Sequence, residues 1–387
     1  MSTLVISTAE PSGDLQAAAL AAELKRRHPQ MRILGAGGHS MRAAGVEVFI
    51  DSTGWGVIGP SAAIGLIPTL LLAYRKMRKL LLEVRPDLLI VIDSPAAHYR
   101  LAGFAQRHGI RTMYYFPPSQ WTRSSKRLHQ IHQRVTSVVT AFRFNAEQYR
   151  KNGLEVGFFG HPLVDIIGPP RPLEQAQQAL GLKPGRYVAL LPGSRIQELR
   201  YLTPVLLEAA ALLRQRYPDV KFLIPCATPR LAPFLARQLG TTPPYLHVLQ
   251  GQAREALAAS RVALITSGTA SLEAALLRIP HVVFYKGSSF DWALYRLLRR
   301  LKLMRVDRFG LVNLVLDEDV MPEFLQTTAT PENLVREAIR LFEEGPERER
   351  MLECLDRARA SVGEPGVIGR VADHVEGLLQ SRYSPAR

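Results

Sequence analysis

Cysteine is nearly missing from this chain. Only Cys226 and Cys354 occur among 387 residues, far apart and with no CxxC spacing. That argues against a disulfide framework or a cysteine zinc site, and it suits a reducing compartment such as the cytoplasm. Aromatic residues make up 7% of the chain and are not interleaved with basic ones, so no nucleic-acid partner is expected. There is no low-complexity tract and no fixed-period repeat. The opening MSTLVIS lacks the charged n-region of a signal peptide and runs straight into a strand pattern. Acid is scarce relative to base: 34 Asp+Glu against 49 Lys+Arg leave a formal net charge of +15. An excess of this size attracts phosphates, whether on nucleic acid, anionic lipid or a phosphorylated substrate.

Long hydrophobic runs are also few. The exception is GVIGPSAAIGLIPTLLLAY (56–74), 19 residues without a formal charge. Its length is that of a membrane span, but Pro60, Gly65 and Pro68 interrupt it. Buried core and interfacial membrane contact are the competing readings. Arg75, Lys76, Arg78 and Lys79 follow directly and favour contact with an anionic membrane surface, where each adds about 1 kcal/mol.

What is present is a βα alternation. TLVIS (3–7), RILGAG (32–37), DLLIVID (87–93), TMYYF (112–116), SVVTA (137–141) and GFFG (157–160) are continuous apolar runs. Such runs suit parallel strands covered on both faces. GHPLVDIIGPPRPLE (160–174), with four prolines, is a linker candidate. A second series follows: YVALLPG (187–193), FLIPCA (222–227), LHVLQ (246–250), VALITSG (262–268) and HVVFYK (281–286). The expected class is α/β: two doubly wound Rossmann-like domains facing a cleft, the GT-B arrangement, with a helical C-terminal tail. The expected divisions are 1–165, 166–345 and 346–387, the last packing back on the first.

Four turns carry candidate chemistry. In LLPGSRIQEL (190–199), Gly193 and Ser194 would leave backbone N–H groups at a helix N-terminus, and Arg195 adds a charged fork suited to a diphosphate. In LITSGTASLEAAL (264–276), Ser267, Gly268, Thr269 and Ser271 open a helix, with Glu273 just inside it. That Glu either completes a cap or takes the hydroxyls of a ribose. Each turn alone reads equally as a tight turn; two in one domain point to a nucleotide. The turn AEPSGD (9–14) holds Glu10 and Asp14 where a dinucleotide fold would place a phosphate. Carboxylates repel phosphate, so this turn faces hydroxyls or a reacting proton, or Asp14 is a helix cap. Asp93, ending a strand in VIDSPAAHYR (91–100), is either a strand-end cap or a general base.

Together these segments resemble the lipid-A-disaccharide synthase family. The resemblance runs nearly end to end through AEPSGD, GAGGHSM (35–41), RPDLLIVIDSP (85–95), PPSQW (117–121), GHPLVD (160–165), LLPGSR (190–195), SGTASLE (267–273), Asn313 and PEFLQ (322–326). It implies an inverting hexosyltransferase that moves 2,3-diacylglucosamine from UDP to 2,3-diacylglucosamine 1-phosphate. UDP leaves and a β(1→6) disaccharide forms, with no metal or other cofactor. By the resemblance Gly193, Ser194, Arg195 and the Ser267–Gly268–Thr269 turn hold the diphosphate and Glu273 the ribose. Asn313 and Gln326 line the cleft near the sugar, and Asp93 is the base with Glu10 or Asp14 orienting. It also implies peripheral association with the inner face of the cytoplasmic membrane. WALYRLLRRLKLMR (292–305) is a second candidate lipid-facing helix, or equally a cationic helix packed on the core.

The chain departs from the family pattern, which the resemblance gives as an acid at Ala62 and Ala96, asparagine at His98, tryptophan at Arg123 and proline at Val312, all on the acceptor side or near the cleft. A diverged paralogue with another lipid acceptor, an inactive homologue and a non-hydrolysing UDP-GlcNAc 2-epimerase are the alternatives.

Overall fold

The computed structural model describes residues 2–52, 60–118, 124–300 and 308–381. Residues 56–59, the 119–121 part of PPSQW, Arg123 and the 301–305 end of the second candidate lipid-facing segment lie outside these, as do the side chains of Ala62 and Ala96. By internal contacts the chain divides into two compact units, Met1–Ile166 with Val362–Arg387, and Ile167–Ser361.

The first unit holds β1 (Thr3–Thr8), β2 (Arg32–Gly37), β3 (Glu47–Asp51), β4 (Leu88–Ile92), β5 (Thr112–Tyr115), β6 (Ser137–Thr140) and β7 (Gly157–Phe158). They form one parallel sheet in the order β3-β2-β1-β4-β5-β6-β7. Every residue of β4 and β5 is buried, because helices cover both faces and leave no side for polar residues. The edge strand β3, EVFID, alternates between exposed and half-buried. Its polar residues hid it from a search for apolar runs.

The second unit holds β8 (Tyr187–Leu191), β9 (Lys221–Cys226), β10 (Leu246–Gln250), β11 (Val262–Thr266), β12 (His281–Tyr285) and β13 (Glu323–Leu325). This sheet is also parallel, in the order β10-β9-β8-β11-β12-β13. β13 has three residues and closes the edge by pairing Phe324 with Phe284. Each unit thus repeats the doubly wound order, in which the chain fills one side of a central strand and then the other.

The C-terminal segment is shared between the units. Helix Pro346–Ser361 belongs to the second, burying Met351, Leu355 and Ala358, so the break falls after Ser361 rather than at 345. Helix Val367–Gln380 belongs to the first. Asp165 accepts hydrogen bonds from Gly366 N and Ile368 N at its start, both 2.7 Å. Arg27 binds Asp373 at 2.5 Å, and Ser137 Oγ pairs with His374 Nε2 at 2.8 Å.

Three histidines are enclosed in these cores: His98, His161 and His281 are 1%, 4% and 0% exposed. Burial disfavours the imidazolium and holds their pKa values at about 4, 3 and 4, below the ordinary 6.5. The unfolded chain therefore binds more protons than the folded one below about pH 6.5. Stability should be constant above that pH and fall as pH drops from about 6.5 toward 5, before carboxylates titrate. Urea midpoints measured across this window check it; a midpoint that holds or rises would contradict neutral burial.

Candidate active site

In each sheet the two halves diverge from a pair of neighbouring strands, β1 with β4 and β8 with β11. The crossovers from the two strands of each pair run to opposite sides of the sheet order, a topology that leaves a crevice at their carboxyl ends. The four turns singled out in the sequence follow these four strands. AEPSGD follows β1, DSP follows β4, PGSR follows β8 and SGT follows β11.

After β1, Glu10 is the N-cap residue of helix Pro11–Arg27 and is half-buried. Gly13 is required by packing, since a Cβ there would lie 2.1 Å from Thr8 Oγ1. Asp14 is only 4% exposed. Its carboxylate accepts from Gly38 N at 2.6 Å, Ser40 N at 2.8 Å and Met41 N at 3.3 Å. The sequence reading made Asp14 a catalytic candidate. The structure makes it the clamp of the GAGGHSM loop, with its oxygens committed to backbone donors.

After β4, Asp93 and Ser94 both adopt left-handed backbone, with φ +58° and +39°. Phe116, at the end of the adjacent β5, does the same at +62°. Non-glycine residues in this region cost of order 1–3 kcal/mol and persist only where the surroundings impose them. The Asp93 carbonyl accepts from Tyr114 OH at 3.0 Å and from His98 Nδ1 at 2.9 Å. The Asp93 side chain is half-buried at the carboxyl edge of the sheet. Its negative charge adds to burial in raising the Tyr114 pKa.

After β8, Gly193 has φ +109°, and a Cβ there would lie 2.2 Å from Glu198 Oε2. Glu198 is a residue the sequence reading passed over. It is 3% exposed and accepts from Ser194 N at 2.7 Å and Arg195 N at 3.2 Å, while Arg195 Nη1 binds its other oxygen at 2.6 Å. The N–H groups of Ser194 and Arg195, expected to await an anion, are thus engaged by the third residue of helix Ile196–Arg216. The spacing GSRIQE carried that signal, since a Glu at the third helical position commonly reaches back to the cap.

After β11, the Ser267 hydroxyl donates to Phe309 O at 2.7 Å and its N–H to Phe284 O at 3.2 Å. Ser267 therefore joins this turn to the 309 loop and has no proton left for a phosphate. Gly268 caps helix Thr269–Leu276 with φ +156°, and a Cβ there would meet nothing within 4 Å. Its bare backbone faces open space. Ser271 Oγ donates to Gly268 O at 2.9 Å and accepts from Leu311 N at 3.3 Å. Glu273 lies 3.6 Å from Arg254. Burial raises its pKa against the opposing pull of that arginine.

Asn313 was expected to line a sugar site. It is instead 2% exposed and fully bonded. Its amide donates to Met321 O at 3.0 Å and Glu323 Oε1 at 2.6 Å, and its oxygen accepts from Val320 N and Met321 N. Glu323 also takes Phe309 N and Gly310 N, both at 2.9 Å. Its partners lie 10 to 14 residues back, so no local pattern marked it. Gln326 is half-buried, with φ +51°, and its Nε2 lies beside Gly287.

A lipid-A-disaccharide synthase from Geobacter sulfurreducens is 34% identical over 377 residues, 97% of each chain. Among solved structures, Acinetobacter baumannii MurG matches with TM-score 0.56 at 14% identity, over 97% of this chain and 100% of that one. UDP-GlcNAc 2-epimerase from Neisseria meningitidis, solved with UDP-GlcNAc, matches with TM-score 0.61, also at 14% identity, over 98% and 100%. At such identities these two show the fold alone, which is GT-B. The epimerase alternative is not favoured, because the sequence relatives are synthases. The family model described as lipid-A-disaccharide synthetase matches residues 4–362, and the chain belongs to that family of glycosyltransferases.

Proposed function

We propose that this chain joins a UDP-2,3-diacylglucosamine donor to 2,3-diacylglucosamine 1-phosphate, releasing UDP and forming a β(1→6) disaccharide. One observation carries the reading. The turns at one switch point are acidic, those at the other pair an arginine with bare glycine backbone, and the chain belongs to a family with this activity. The donor diphosphate is assigned to Arg195, the Ser194 hydroxyl and the Gly268–Thr269 turn, where a guanidinium and a helix N-terminus offset charge developing on UDP. Gly193 serves by admitting Glu198, and Glu198 holds Arg195 in place. Glu273 is assigned to the ribose and Gln326 to the sugar.

In the transfer the acceptor hydroxyl attacks C1 of the donor sugar as the C1–O bond to UDP breaks, inverting that carbon. The hydroxyl proton goes to a carboxylate within hydrogen-bond reach. Asp93 is that base, and Glu10 orients the acceptor. Asp14 is removed from this role because its oxygens already accept three backbone N–H groups.

The acylated substrates call for a lipid surface. In helix Pro60–Val84, Ile67, Leu71 and Leu72 are 50%, 45% and 53% exposed, and Arg75, Lys76, Arg78 and Lys79 follow, also exposed. In helix Ser289–Arg300, Phe290 and Leu297 are exposed, with Arg296 and Arg300. Among the described residues no helix is long and apolar enough to cross a membrane. Peripheral contact with an anionic membrane fits both helices.

Asp93→Asn should lower kcat by roughly 10²–10⁴-fold while UDP affinity is retained. Arg195→Ala should instead weaken UDP binding by about 10–100-fold, the loss of a charged hydrogen-bonding group. UDP release with mass detection of the disaccharide measures the first and calorimetry the second. Full turnover by Asp93→Asn would move the base elsewhere. Co-sedimentation with liposomes should require anionic lipid and weaken as salt rises; indifference to both would exclude electrostatic membrane docking.

A further inference from the structure

His98 stands where the family resemblance calls for asparagine, and the structure shows what its ring does. It is 1% exposed, inside helix Pro95–Arg107, the element that follows Asp93. Nδ1 lies 2.9 Å from the Asp93 carbonyl oxygen, and Nε2 lies 2.9 Å from Ser7 Oγ. A carbonyl can only accept, so Nδ1 carries the proton. Burial keeps the ring neutral, which leaves Nε2 as an acceptor for the Ser7 hydroxyl. Ser7 lies in β1, paired in register with Val91 of β4. The ring therefore ties β1 to the end of β4 across the switch point, in a single tautomer.

The Asp93 carbonyl it holds belongs to a residue at φ +58°, followed by Ser94 at +39°. Tyr114 OH reaches the same oxygen at 3.0 Å. Two donors from different elements on one carbonyl are what keeps this strained turn in place, and the turn sets the direction of the Asp93 side chain. Beyond the ring, a cavity of about 20 Å³, lined by Leu70, Tyr74, Met77 and Leu101, borders Ser7 and His98. That volume is near the size of one water, so the ring is enclosed and has little room to turn away from the carbonyl.

We propose that His98, braced at Nε2 by the Ser7 hydroxyl, is a positioning residue that aims the Asp93 carboxylate by holding the Asp93 backbone carbonyl. This rests on the reading of Asp93 as the general base. Asparagine can place an N–H where Nδ1 stands, at the Asp93 carbonyl, but its oxygen also sits at the δ position and falls short of the Ser7 hydroxyl, so it keeps the bond to the carbonyl alone.

The test compares kcat, KM and UDP binding of the full chain for five variants: His98→Ala, His98→Asn, Ser7→Ala, Asp93→Asn and Asp93→Asn/His98→Ala. His98→Ala should lower kcat by about 10–100-fold, the scale of an ångström's misplacement of a reacting group, with KM for the UDP-sugar and UDP affinity within about twofold. His98→Asn should recover most of the loss. The double variant should be no slower than Asp93→Asn alone, since groups acting as one unit are not additive. Ser7→Ala leaves the ring in place and should lower kcat by several-fold, so it tests the idea even if His98→Ala does not fold. Unchanged kcat in folded His98→Ala or in Ser7→Ala, no rescue by asparagine, or a further loss in the double variant would overturn the proposal. Full turnover by Asp93→Asn would instead overturn the base reading on its own.

Discussion

Parallel strand pairing that grows outward in two directions from one central strand is the constraint on which the rest depends. Where the directions part, at β1 with β4 and at β8 with β11, the crossovers lead away to opposite sides and a crevice forms at the carboxyl ends. The loops leaving those four strands are therefore the places in each unit where backbone and side chains can meet a ligand without disturbing the core. The two units share this architecture and differ in what they put at the opening. One carries Glu10 and Asp93. The other carries Arg195 and the bare backbone of Gly268.

Several carboxylates near these openings serve the protein itself. Asp14 gathers the N–H groups of the loop after β2, Glu198 those of the turn after β8, and Glu323 those of Phe309 and Gly310. Each neutralises backbone donors that a buried turn would otherwise leave without partners, a loss worth about 1–3 kcal/mol per group. The consequence for function is indirect: a turn held by an internal anion keeps its shape when empty. Arg195 Nη1 is bonded to Glu198 as well, which restricts its guanidinium.

The strain is not spread evenly. Asp93, Ser94 and Phe116 take left-handed backbone at the ends of two neighbouring strands, and His98 and Tyr114 converge on the carbonyl between them. These residues come from β4, β5 and the helix after β4, so the arrangement exists only when the sheet is assembled. It belongs wholly to the first unit.

The central strands and the turn after each were legible because their physics is local. A strand covered on both faces must be continuously apolar, and a turn that needs positive φ or close packing shows a glycine at that point. The edge strands β3 and β13 were not legible, one because half its residues face water and the other because three residues make no pattern. Among site residues, Arg195 and Asp93 could be proposed from residue type and position at a strand end. The bonding of Asp14, Ser267 and Asn313 was not legible, since the partners that occupy them lie 24 to 27, 42 and 7 to 10 residues away. The sequence by itself thus determined the fold class, the family and the four openings, all written in local pattern. Which polar groups at those openings are already bonded was decided only by tertiary structure, because a hydrogen bond depends on distances the linear order does not contain.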